Sequence, residues 1–78
     1  MIENIPYKVE RILSELSVNG TGRKLLTVTA WKNVPAKLDL RKWILADDGK
    51  EHPGKGITLT DAEAENLSHG LEKYLKQK

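Results

Sequence analysis

Apolar and polar residues alternate with period two over two stretches of the chain, the spacing that sends successive side chains to opposite faces of a strand. From Lys37 to Leu45, Leu38, Leu40 and Ile44 share one face, while Lys37, Asp39, Arg41 and Trp43 share the other. From Arg23 to Lys32, Leu26, Val28 and Ala30 alternate with Arg23, Leu25, Thr27, Thr29 and Trp31, and the threonines suit a pleated surface. Gly56 to Thr60 gives a third short strand with Ile57 and Leu59 inward. The apolar sets of all three strands are expected to face the core. Turn chemistry separates them at Asn19-Gly20-Thr21-Gly22, at Asn33-Val34-Pro35-Ala36, and from Asp47-Asp48-Gly49-Lys50 through Pro53-Gly54.

Periodicity changes after Thr60. Thr60-Asp61-Ala62-Glu63 is a capping box, and Ala64, Leu67, Leu71, Tyr74 and Leu75 then fall on one helical stripe. Acidic residues open this helix and Lys73 and Lys76 close it, as the helix dipole favours. Tyr7 to Val18 reads two ways. Val9, Ile12, Leu13 and Leu16 match helical spacing, yet the Asn19-Gly20 turn that follows is a hairpin signal, and a β-bulge reconciles the spacing with a strand.

A chain of 78 residues allows one domain, residues 1–78, with a thin core that often calls for a second copy. Cysteine is absent, which excludes a disulfide scaffold, a thiolate nucleophile and zinc sites built on Cys. The longest apolar run, Trp43 to Ala46, is far short of the ~18 residues of a membrane span. Met1-Ile2-Glu3-Asn4 has the character of neither a basic nor an apolar leader region, so a cytoplasmic protein is expected, nucleoid-associated in a bacterium.

Net charge is +2, but it is unevenly spread: −1 over residues 1–20, +4 over 21–60 and −1 over 61–78. Arg23, Lys24, Lys32, Lys37, Arg41 and Lys42 stand against Asp39 alone between residues 23 and 42. Such a sheet attracts polyanions, although lysines also guard edge strands against aggregation. Both tryptophans, Trp31 and Trp43, fall on the polar face of these strands. Aromatic surfaces beside Lys and Arg suit single-stranded nucleic acid, bases stacking while cations follow the phosphates; the alternative is that the rings cap a small core or a dimer contact.

Asp39 and Arg41 lie two apart on one face, so Asp39 orients Arg41 rather than serving as an acid or base. Pro53-Gly54-Lys55-Gly56 lacks Walker spacing and reads as a plain turn with Lys55 near any bound phosphate. His52 and His69 have no partners at metal-ligand spacing, and Ser14, Ser17 and Ser68 have no recognisable His and acid partners. No cofactor, metal or catalytic set is expected.

Lys37-Leu38-Asp39-Leu40-Arg41-Lys42-Trp43, a Gly-containing turn, then Lys55-Gly56-Ile57-Thr58-Leu59-Thr60 and an amphipathic helix resemble the transcriptional positive cofactor four family, including its short bacterial members. The resemblance covers about residues 7–76. It implies an α+β fold, a curved antiparallel sheet of four strands followed by one C-terminal helix (ββββα), with Tyr7 to Val18 as the first strand. It further implies a homodimer that binds single-stranded DNA with little sequence preference. On the family pattern Arg41 resembles an arginine that contacts the DNA backbone. Trp43 matches the aromatic two places on, Lys55 the lysine before Gly-Ile, and Trp31 an aromatic ending the second strand. Arg23 and Lys24 fall in the basic stretch after the first turn. Ile44 and Ala64 stand where family members often carry aromatics, and no Ser-rich regulatory tail is present.

The sequence therefore predicts a non-enzymatic binding protein in which Arg23, Lys24, Lys37, Arg41 and Lys55 meet phosphates and Trp31 and Trp43 stack on bases. Single-stranded DNA is the expected partner, with RNA open, alongside a second copy and transcription or recombination proteins. The rival expectation is a protein–protein adaptor acting through its helix and sheet face.

Overall fold

The computed structural model describes residues 7–77. Four antiparallel strands, β1 (Tyr7–Asn19), β2 (Gly22–Trp31), β3 (Lys37–Leu45) and β4 (Glu51–Leu59), pair in chain order to form one open sheet, and α1 (Asp61–Lys76) follows. This is the expected ββββα architecture. The capping box forms as read: the Thr60 hydroxyl accepts from the Glu63 amide at 3.1 Å and the Glu63 carboxylate accepts from the Thr60 amide at 2.9 Å.

The first segment is a strand that bulges interrupt at regular intervals. Its register against β2 slips between Val9 and Arg11, Ile12 and Ser14, and Glu15 and Ser17. Val9, Ile12 and Glu15 thus face Thr29, Thr27 and Leu25, with Glu10, Leu13 and Leu16 left out of register. An inserted residue every third position turns a period of two into a period of three, which on paper resembles a helix.

Bulges also sharpen the twist and bend of a sheet. Tyr7 pairs with Trp31, and Trp43 pairs with Arg23, eight residues from Trp31 along β2. On a flat strand that separation is about 26 Å at ~3.3 Å per residue. Yet the Tyr7 ring centroid lies 5.3 Å from that of Trp31 and 5.7 Å from that of Trp43, more closure than two side chains can span. The sheet therefore curls lengthwise around these three rings.

The curl reverses the expected inside. The most buried side chains are Leu25, Thr27, Thr29, Asp39 and Trp43, all on the face read as polar, whereas Leu26, Val28, Ala30, Leu38 and Leu40 are only half-buried and Ile44 and Ile57 are exposed. Thr27 and Thr29 satisfy one another by a hydroxyl pair at 2.7 Å. On the opposite face α1 lies against β3 and β4 but leaves a groove of about 570 Å³, lined by Leu26, Leu38, Leu67, Leu71 and Leu75 among others. No helix residue is buried.

A second difference concerns Pro53-Gly54, expected in a turn. The turn closes by Lys50, and β4 runs through both residues, with a bulge opposite Arg41 and Trp43. Proline is tolerated because β4 is an edge strand. Gly56 is required by contact: a Cβ there would collide with Arg41 Cβ and the β3 backbone.

Candidate nucleic-acid interface

Two polar clusters and three aromatic rings occupy the curled face. At one end Asp39, fully buried, accepts from Arg41 Nε (2.7 Å to Oδ1), Arg41 Nη2 (2.8 Å to Oδ2) and Trp31 Nε1 (3.2 Å to Oδ2). Arg41 Nη1 donates to the Gly54 carbonyl at 2.9 Å, an acceptor presented where β4 bulges. The guanidinium carbon lies 4.6 Å from the Trp31 ring centroid, within cation–π range. The pairing read from the two-residue spacing of Asp39 and Arg41 is thus present, and the indole joins it.

Beside this stack opens a cavity of about 280 Å³ lined by Trp31, Val34, Pro35, Lys37, Arg41 and Thr58. It falls just below the ~300–1,000 Å³ of ordinary small-molecule sites, which suits a single flat group. Trp31 is half-buried and Lys37 exposed, so the cavity has an aromatic wall and a cationic rim.

At the other end Arg23 is committed to carboxylates. Its Nε and Nη2 reach Glu51 at 2.6 and 2.7 Å, and its Nη1 reaches Glu15 at 2.9 Å. Hydrogen bonds from Glu51 first, then Glu15, raise the Arg23 pKa, and the reciprocal bond from Arg23 holds Glu51 below the usual carboxylate range. Glu51 lies on β4 and Arg23 on β2, so the pair straddles β3 and closes over Trp43.

These placements distribute the residues of the expected basic patch over both faces of the sheet. Arg23 sits with two carboxylates, and that end of the face is net negative. Lys24 pairs in register with Lys42, on the same face as Leu26 and α1 and opposite to Trp31 and Arg41. Lys37 is on the cavity rim, and Lys55 is exposed in the β4 bulge. Trp43, expected to stand open beside Arg41, is only 3% exposed under Tyr7, and its Nε1 has no acceptor among the described residues. Alternation put the ring on the correct face but could not show that the face closes.

Tyr7 went unread as a candidate, although it bridges the two indoles and is itself partly exposed. The only sequence signal was its register opposite Trp31, which the bulges of β1 concealed. His52 lies 2.9 Å from Asp48, whose pKa is lowered by the Lys50 amide first and by His52 second. No group of three or more potential metal ligands occurs among the described residues.

An open, curled four-stranded sheet followed by one C-terminal helix, with an arginine–aromatic stack on its inner face, defines an α+β architecture. Residues 18–69, more than half of the chain, match the family model of Transcriptional Coactivator p15 (PC4), and the chain belongs to that family. The family is one of DNA-binding cofactors with a general association with single-stranded DNA and transcription. Comparison with curated protein sequences finds no match. No helix is long and apolar enough to cross a membrane among the described residues.

Proposed function

We propose that this chain is a single-domain, non-enzymatic single-stranded DNA-binding protein with little sequence preference, serving transcription or recombination and repair as a homodimer. The observation that carries this reading is the cavity walled by Trp31 and Arg41 and rimmed by Lys37, on an open sheet of the matched family. A base stacks on the Trp31 indole, while Arg41, Lys37 and Lys55 follow the phosphates. Trp43 supports the platform from beneath.

The other face supports the dimer. Leu71 and Leu75 are 50% and 63% exposed beside the groove, and Ile44 and Ile57 extend the apolar surface across the sheet. Apolar surface of this extent on so small a chain is stabilised by covering it, and a self-complementary pairing through α1 closes after two copies.

Titration of a labelled oligo-dT and of its duplex at several salt concentrations tests the reading. Preferential binding of the single strand, with affinity falling as salt rises, is expected. Absence of binding at low salt, or equal affinity for duplex, overturns it.

A further inference from the structure

The buried carboxylate of Asp39 sits on the proposed binding face, where a negative charge ought to weaken attraction for a polyanion. Its geometry gives the reason for its presence. Asp39 holds two side chains at once, and both form walls of the 280 Å³ cavity that Asp39 itself does not line. An arginine has five N–H donors. Three are engaged, Nε and one from Nη2 by Asp39 and one from Nη1 by the Gly54 carbonyl, which leaves one N–H on each terminal nitrogen. Both belong to one rigid, planar group, and the Arg41 side chain is 15% exposed.

We propose that Asp39 is a positioning residue that locks Trp31 and Arg41 into one indole–guanidinium plate, presenting the two remaining guanidinium N–H groups as a fork for oxygens of a backbone phosphate. The inference rests on the single-stranded DNA reading above. Because Asp39 cancels the charge of Arg41, the contact is directional hydrogen bonding rather than counterion exchange. Binding strength at this point comes from geometry, and the salt dependence comes from Lys37 and Lys55.

The test is titration of labelled oligo-dT against the full chain over a salt series, for the wild type and for Asp39→Asn, Arg41→Ala, Arg41→Lys and the double variant Asp39→Asn/Arg41→Ala. Asp39→Asn removes one negative charge from the face, yet its affinity should fall roughly tenfold as the fork loses its anchor. Its salt slope should steepen by up to about 0.7, since the charge of Arg41 is no longer cancelled. Arg41→Lys should be nearly as weak as Arg41→Ala, because an ammonium provides no fork. In the Arg41→Ala background, Asp39→Asn should cost nothing further. Unchanged or tighter binding by Asp39→Asn overturns the proposal. If circular dichroism shows that Asp39→Asn does not fold, the Arg41 pair decides, and wild-type affinity in Arg41→Lys overturns it. Failure of the wild type to bind at low salt instead removes the single-stranded DNA reading itself, and the fork with it.

Discussion

Replacing Trp43 by alanine separates a structural ring from a contacting one. The side chain is almost fully buried, and an aromatic ring of this kind removes ~150–250 Å² from water. At ~25 cal/mol per Å² this corresponds to about 4–6 kcal/mol, an upper figure because unfolded chains are partly compact. The contact with Tyr7 adds about 1 kcal/mol, while removing the unpartnered Nε1 donor returns about 1–3 kcal/mol. The net loss is about 2–6 kcal/mol, a span that includes the ~3–5 kcal/mol typical of large core truncations. For a domain of this length it lowers Tm by at least ~8 °C. Thermal melting followed by circular dichroism reads the loss, and oligo-dT titration below the variant's Tm reads the interface. Trp31→Ala should show the reverse pattern, losing about 1–3 kcal/mol of binding with a smaller change in Tm. Trp43→Phe keeps a ring beneath Tyr7, removes the orphan donor, and should melt within a few degrees of the wild type. A Trp43→Ala variant that melts like the wild type but no longer binds would refute the reasoning, because the inner face would then have to open and offer that ring to DNA.

Four further outcomes follow from the same geometry. Lys37→Ala should reduce the salt slope of oligo-dT binding by about 0.7, while Lys24→Ala, on the opposite face, should leave it unchanged; equal effects would mean that DNA also tracks the α1 side. The Arg23–Glu51 pair, with side chains 29% and 30% exposed, should be worth about 1 kcal/mol or less. Because Glu51 is depressed in the folded state, that stability is present above its ordinary value near 4.5 and is lost as pH falls through the folded value, whereas Arg23 stays charged throughout. The Tm advantage of wild type over Glu51→Gln should therefore be constant at neutral pH and vanish on acidification, and an advantage that persists in acid contradicts the assignment. Gly56→Ala should destabilise by several kcal/mol through collision with β3 and displace Arg41, seen as lower Tm and weaker oligo binding. Leu71→Asp should shift the protein from dimer to monomer in analytical ultracentrifugation, and an unchanged mass would place the partner surface elsewhere.

How far the sequence reveals this molecule depends on which physical signal each part leaves. β3 is legible to the residue because its alternation from Lys37 to Leu45 is broken only at Lys42 and Leu45, and the capping box at Thr60 marks the helix start. β1 is legible only through the family resemblance, because its bulges impose a helix-like spacing. The Asp39–Arg41 pair could be read from its two-residue offset. The burial of Thr27, Thr29 and Trp43 could not, since hydrophobic patterning identifies the apolar face but not which face a curling sheet closes upon. Charge counting likewise could not show the ion pairs of Arg23, because the carboxylates that engage it come from β1 and β4, eight and twenty-eight residues away.

The bulges of β1 have one more effect, on what the protein avoids becoming. An open sheet with a long outer strand carrying exposed Ile12, Leu13, Leu16 and Val18 is a template onto which further strands could add without end. Here the ladder runs no more than three residues before its register slips, so an incoming strand finds no straight row of amides and carbonyls to zip against. Irregularity along this border thus discourages fibre growth, leaving the proposed self-association to the helix side, where pairing would terminate.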